Sequence, residues 1–138
     1  MTLECNPSDT GGRDSNFDFK AVADAGIDRI SMGLQSSSDS ERRFLGRRAG
    51  ADDAERAVER ANAAGIDNIS LDLMLGLAGQ STESVGRSIE FCRRLGAKHL
   101  SAYLLKLEQG TPLYTRRNEL HLPDEDETAE LYLFTVSE

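Results

Sequence analysis

One seven-residue unit recurs along the chain, and it limits the possible fold more than any other feature. Ala25-Gly26-Ile27-Asp28-Arg29-Ile30-Ser31 returns as Ala64-Gly65-Ile66-Asp67-Asn68-Ile69-Ser70, and in weaker form as Leu95-Gly96-Ala97-Lys98-His99-Leu100-Ser101. The copies lie 39 and then 31 residues apart, which is room for a helix, a strand and two loops. Each glycine follows a helical pattern and precedes an alternating one, where a chain leaving a helix commonly passes through a left-handed conformation. Repeated in this way, the unit predicts βα modules with parallel strands.

The segments between the copies agree. Ala51, Ala54, Ala57, Val58, Ala61 and Ala64 form an apolar stripe at helical spacing, with Asp52, Asp53, Glu55, Arg56, Glu59 and Arg60 read as its solvent face. Val85, Ile89, Cys92 and Leu95 form a second stripe that begins after Ser81, a candidate N-cap. Phe17, Ala21 and Ala25 suggest a short helix. Ser38 and Glu41 have capping-box spacing before another, and Thr128 to Val136 suggest a last one. Ser8 to Asn16, polar and glycine-rich, reads as a loop. Strands are predicted at about 2–6, 28–35, 67–73 and 98–105.

Residues two apart in a strand share a face. Ile30, Met32 and Leu34 therefore oppose Ser31, Gly33 and Gln35. Ile69, Leu71 and Leu73 oppose Ser70 and Asp72, Leu100, Ala102 and Leu104 oppose Ser101 and Tyr103, and Leu3 and Cys5 oppose Glu4 and Asn6. The apolar face meets the helices, so Glu4, Asn6, Gln35, Asp72 and Tyr103 face the other side. A barrel of parallel strands normally fills that interior with branched apolar side chains. A polar interior is wet or holds a polar ligand, because unpaired buried polar groups are costly. The bland alternative is an antiparallel sheet with one solvated face, and the βα repeat speaks against it.

Composition narrows the function classes. The net charge of −8 disfavours general nucleic-acid binding. Arg42, Arg43, Arg47 and Arg48, and Arg93 with Arg94, are local basic patches whose plain reading is a solvated helix face. No stretch approaches the roughly 20 apolar residues of a membrane helix, and nothing resembles a signal or transit peptide, so the expected compartment is the cytoplasm. Two cysteines, Cys5 and Cys92, make no metal motif, and Cys92 is expected in the core. His99 and His121 are expected to be structural or exposed.

Six motifs, in order, carry a resemblance. They are Thr2-Leu3-Glu4-Cys5-Asn6-Pro7; Arg29-Ile30-Ser31-Met32-Gly33-Leu34-Gln35-Ser36; Leu45-Gly46-Arg47; Asn68 to Leu77 around Asp72; Ser101-Ala102-Tyr103 with Glu108-Gln109-Gly110-Thr111-Pro112; and Leu122-Pro123-Asp124-Glu125-Asp126. The series resembles the radical S-adenosylmethionine (SAM) group that contains oxygen-independent coproporphyrinogen III oxidase and the heme chaperone HemW, and is closer to HemW. It departs from the group at Ala78, where a proline is usual, and in the loop Ser8 to Asn16, which is longer than the usual connection.

The resemblance implies an α/β fold, a partial TIM-like barrel of about four parallel βα units. Residues 1–138 would be the middle and C-terminal part of a radical SAM core. It implies SAM across the C-terminal strand ends, with Glu4, Gln35, Arg47 and Asp72 lining the pocket and Gly33 admitting the ligand to the backbone. Glu4 and Asp72 suit an ammonium or ribose hydroxyls, Arg47 a carboxylate, and Gln35 either donor or acceptor. Glu4, Gln35 and Asp72 already share the inward face by parity. Arg47 rests on its motif, and its bland alternative is a surface arginine.

The group's [4Fe–4S] cluster is held by cysteines spaced C-x3-C-x2-C, a motif missing from this sequence. The resemblance therefore places the cluster, the tetrapyrrole or heme, and the rest of the barrel in a longer parent, with this piece inactive alone and carrying neither catalytic nor metal-ligating residues. The function so implied is heme trafficking or porphyrin metabolism. The alternatives are the decarboxylating oxidase and a non-catalytic βα module that binds a small ligand.

Overall fold

The computed structural model describes residues 1–138. Its elements run β1 (Thr2–Cys5), α1 (Pro7–Gly11), α2 (Phe19–Asp24), β2 (Arg29–Gln35), α3 (Asp39–Phe44), α4 (Ala51–Ala63), β3 (Asn68–Leu75), α5 (Thr82–Arg94), β4 (His99–Leu104), α6 (Pro112–Thr115) and α7 (Glu125–Ser137). The four strands form one sheet in the order β1-β2-β3-β4, every neighbouring pair parallel. Sequential parallel strands need helical crossovers, and the repeat supplies them. Gly26, Gly65 and Gly96 each sit just past a helix at φ 89, 88 and 76°. The bland antiparallel alternative is thereby excluded, and the α/β, partial-barrel expectation stands.

The periodicity of two explains the core. Ile30, Met32 and Leu34 of β2, and Ile69, Leu71, Leu73 and Leu75 of β3, are each 2% exposed or less. They pack in one apolar cluster with Ala54, Ala57, Val58 and Ala61 of α4 and Val85, Ile89 and Cys92 of α5. Burial of each large side chain contributes about 1.5–3 kcal/mol, so these two central strands anchor the fold. The edge strand β4 is different: Leu100 is 41% and Leu104 50% exposed. Ser81 caps α5 as expected, accepting from Ser84 N at 3.2 Å.

Four readings are corrected. Residues read as a loop include the helix α1, whose last residue lies against α4. A Cβ on Gly11 would fall on the Asp53 carbonyl oxygen and 2.7 Å from Ala57 N. Arg56 and Arg60, assigned to solvent, reach back to α1: Arg56 Nε donates to Gly11 O at 2.7 Å and Arg60 Nη1 to Thr10 O at 2.6 Å. Ser38 stands at the N-cap of α3 without a side-chain cap bond, and Glu41 is buried instead of capping. Arg42 is 3% exposed, so that end of its basic patch is not a solvated face. Arg93 and Arg94 are exposed as expected. No helix is long and apolar enough to cross a membrane.

Candidate functional site

Parallel register lines up the inward side chains in rows across the sheet. Glu4, Ser31 and Ser70 are partners in one row, and Gly33, Asp72 and Ser101 in the next. Met74 pairs with Tyr103 nearer the C-terminal ends of β3 and β4. Sequence parity brings Glu4, Asp72 and Tyr103 to this face, and Gln35, whose register partner is Leu73, reaches it through a bulge after Gly33. Met74 belongs there too and was missed, since the alternation was followed only to Leu73.

Asp72 is half-buried at the middle of the sheet. The Ser31 hydroxyl lies 3.4 Å from both its carboxylate oxygens. Burial raises its pKa above the usual carboxylate value; the Ser101 and Ser31 hydroxyls oppose the rise, the Glu4 charge adds to it and Arg29 offsets it. Desolvation disfavours the charged form, and a second carboxylate nearby does the same. A cation or hydroxyl donors placed here would stabilise the ionised carboxylate against both effects.

Gln35 ends β2 in an unusual turn. It is the only non-glycine residue with positive φ, at 70°. Ser36 N donates to Leu34 O at 2.9 Å, closing a three-residue γ-turn around it. A γ-turn of this hand is rare and strained, and such strain concentrates at functional sites. The register slips by one residue between Gly33 and Gln35, a bulge that re-aims the side chain. Gln35 is 8% exposed, and its Oε1 is buried without a hydrogen-bond partner. Its Nε2 lies 2.9 Å from the position a Cβ on Gly33 would take, with Asn6 Oδ1 3.9 Å from the same point. The carboxamide thus lies over Gly33, next to Asn6.

Arg47 follows α3 and is exposed. Its Nη1 donates to Asn6 Oδ1 at 3.3 Å, and Arg47, Asn6 and Gly33 line one small cavity. The structure therefore brings the arginine to the strip that holds Gln35, which parity alone did not establish. The loop after β3 is closed by Gln80: its Oε1 accepts from Gly76 N at 2.8 Å and Leu77 N at 3.3 Å, and its Nε2 donates to Met74 O at 2.9 Å. That closure engages the amides of Gly76 and Leu77 within the loop itself.

Cluster ligands are a separate matter. No group of three or more His, Cys, Asp and Glu side chains is placed to hold a metal. Cys5 and Cys92 are free; burial pushes the Cys5 thiol up to about 11 and the Cys92 thiol up to about 12. Two isolated thiols cannot supply the three thiolates of an iron–sulfur cluster of this kind, so these residues do not fit it.

Comparison with known proteins gives a consistent set. The family model described as the radical SAM superfamily matches residues 1–92. The chain is 36% identical over 139 residues to the heme chaperone HemW of Bacillus subtilis (strain 168), a match covering 99% of this chain and 36% of that protein. It is 37% identical over 134 residues to the Bos taurus protein named radical S-adenosyl methionine domain-containing protein 1, mitochondrial, covering 96% of this chain and 29% of the relative. The chain thus spans about a third of the length of these curated relatives. Among solved structures, coproporphyrinogen III oxidase (HemN) from Escherichia coli superimposes with a TM-score of 0.78 at 20% identity, over 99% of this chain and 31% of that one. Elp3 from the archaeon Methanocaldococcus infernus does so with a TM-score of 0.81 at 21% identity, over 97% and 32%. Those two likenesses speak to the fold alone.

Proposed function

Because the chain belongs to the radical SAM superfamily, we propose that it binds SAM across the C-terminal ends of its strands, as part of a HemW-like protein acting in heme trafficking or porphyrin metabolism. Residues 1–138 are read as the middle and C-terminal part of that protein's barrel core, and the cytoplasm as its compartment. The observation that carries the SAM reading is the buried, unpartnered Oε1 of Gln35, in a strained turn whose carboxamide lies over Gly33. A buried polar atom without a partner is costly, and a ligand donor there removes the cost.

The surrounding groups match the parts of SAM. Asp72 and Glu4 are acceptors suited to an ammonium or to ribose hydroxyls. Arg47 suits a carboxylate, which its planar fork engages through two bonds. Met74 and Tyr103 offer apolar and aromatic surface for a purine. When bound, SAM supplies a sulfonium from which a radical SAM protein draws a carbon-centred radical under reduction. These residues would bind and orient it. The cluster's ligands are not among them, and no cluster step is assigned to this chain.

The chaperone reading is preferred to the oxidase because relatives named HemW match at 35–38% identity, whereas the oxidase likeness is one of fold. Isothermal titration of the 138-residue chain with SAM tests the proposal. Saturable heat that Gln35→Ala and Asp72→Ala each reduce supports it. A chain that is folded by circular dichroism yet gives no heat sinks it and favours a βα module for another ligand.

A further inference from the structure

Gln35 holds its strained turn without help from its own side chain, so something after it must fix the chain. That something is a buried network on Ser36. Ser36 Oγ donates to Glu41 Oε2 at 2.6 Å and accepts from Ser38 N at 2.9 Å, while Arg42 Nη1 donates to Ser36 O at 2.6 Å. Glu41 and Arg42 are 4% and 3% exposed, which is rare for charged side chains unless they are fully engaged. Glu41 Oε2 also accepts from Gln80 Nε2 at 3.3 Å. Gln80 in turn holds Met74 O and the amides of Gly76 and Leu77. Ser37 N donates to Ser88 Oγ of α5 at 3.0 Å, closing the network from below.

From this arrangement we propose that Glu41 and Gln80 are positioning residues for the candidate site. Glu41 clamps Ser36 and Gln80 ties Glu41 to the end of β3, so that the pair holds Gln35 in its positive-φ turn with the carboxamide over Gly33 and locks the ends of β2 and β3 to one another. Neither residue lies on the inward face. They act through Gln35 on one strand and Met74 on the next. A buried polar network of this kind fixes one geometry when every member is satisfied. Losing Glu41 leaves the Ser36 hydroxyl with only the Ser88 hydroxyl, at 3.4 Å, as a further side-chain partner and the Gln80 amide short of an acceptor, and the γ-turn is then free to relax toward extended backbone.

The inference rests on the SAM reading for its functional meaning but not for its structural part, and the two are tested separately. The Gln35 backbone is read directly from its HN–Hα scalar coupling and intraresidue nuclear Overhauser effect in labelled chain. Glu41→Ala is expected to abolish the positive-φ signature, with Gln80→Ala as the second variant should the first not fold, and Glu41→Gln, which keeps an acceptor for Ser36, to retain it. SAM affinity is expected to fall about tenfold in Glu41→Ala, a loss of 1.4 kcal/mol in binding. Glu41→Ala/Gln35→Ala is expected to bind no more weakly than Gln35→Ala alone, the non-additivity of residues acting through one another. An unchanged Gln35 coupling in the variants, or fully additive losses, overturns the clamp. Absence of SAM binding by the wild-type chain overturns the SAM reading, and the scalar couplings still decide the clamp.

Discussion

Gln35 and Gly33 compete for one space on the inner face of the sheet: the carboxamide nitrogen of the first stands 2.9 Å from where a Cβ of the second would be. That is closer than real Cβ contacts allow, so Gly33→Ala must push the carboxamide aside. The obstacle is the far end of a flexible side chain, and the backbone has nothing to move. The expected result is a loss of SAM affinity of about tenfold or more with a change in unfolding free energy of under about 1 kcal/mol. Titration calorimetry and urea unfolding on the same variant check the contrast. Intact affinity in Gly33→Ala would show that the ligand does not use this strip.

Asp72 and Asp67 lie on or beside the same strand and are expected to respond to pH in opposite senses. Burial raises the Asp72 pKa, so above the ordinary carboxylate value the folded chain still holds a proton that the unfolded chain has lost. Stability therefore falls as pH rises through that window. Asp72→Asn should remove this slope and leave the chain more stable than wild type at neutral pH. Asp67 is exposed and bonded to Lys98 Nζ at 2.7 Å, and the ammonium lowers its pKa. Its contribution is present above the ordinary carboxylate value and fades as pH falls through the lowered one. For SAM the two also differ: Asp72→Ala should weaken binding and Asp67→Ala should not. Urea midpoints across acid to neutral pH, with titrations at one pH, test both parts, and equal effects on SAM would show the pocket to be misplaced.

The reading of Arg47 as a carboxylate ligand predicts a selective loss. Arg47→Ala should weaken SAM but leave 5′-methylthioadenosine, which lacks the amino-acid end, bound as in wild type. Arg47→Lys should recover little, since an ammonium does not reproduce the two parallel bonds of a guanidinium. Competition of the two ligands against each variant is a direct measurement. Parallel losses for both would instead give Arg47 a role in holding Asn6, which it bonds at 3.3 Å.

What the sequence made legible follows from periodicity. Ile30, Met32 and Leu34 against Ser31, Gly33 and Gln35 is a two-residue alternation, and repetition of the Ala-Gly-Ile-Asp unit fixed parallel order before any contact was known. Three things were hidden, each for a physical reason. A γ-turn at Gln35 has no propensity signature, because a non-glycine residue does not take that conformation by its own preference; the bonds that engage the chain here fall on its neighbour Ser36, from Glu41 and Arg42. Glu41, Arg42, Arg56 and Arg60 were read as cap partner, basic patch or solvent face because charged side chains are mostly exposed, yet Glu41 and Arg42 meet the hydroxyl and carbonyl of nearby Ser36, and Arg56 and Arg60 meet carbonyls of Gly11 and Thr10 brought to them by a distant segment. Helix α1 is short and built from Ser8, Asp9, Thr10 and Gly11, residues that suit loops; its seat on α4 is a tertiary fact.

That seat leads to a last pair of predictions with opposite signs. A methyl at Gly11 would meet the Asp53 carbonyl oxygen and, at 2.7 and 2.9 Å, the Ala57 nitrogen and Cβ. All but the last are backbone atoms of α4, which move only if the helix moves. Separating α1 from α4 would also strain the bonds from Arg56 to Gly11 O and from Arg60 to Thr10 O. Overpacking of this kind costs about 1–3 kcal/mol. Gly86 is the counter-case. It lies inside α5, and a Cβ there would meet only the Phe134 ring of α7, at 3.4 and 3.7 Å, which is ordinary contact. Gly86→Ala removes the conformational freedom of a mid-helix glycine and adds apolar contact between α5 and α7, a gain of up to about 1 kcal/mol. Urea unfolding should therefore move the midpoint down for Gly11→Ala and up for Gly86→Ala. A neutral Gly11→Ala would mean that α1 does not rest on α4 in solution, and the polar segment from Ser8 to Asn16 would then be the loop its composition suggests.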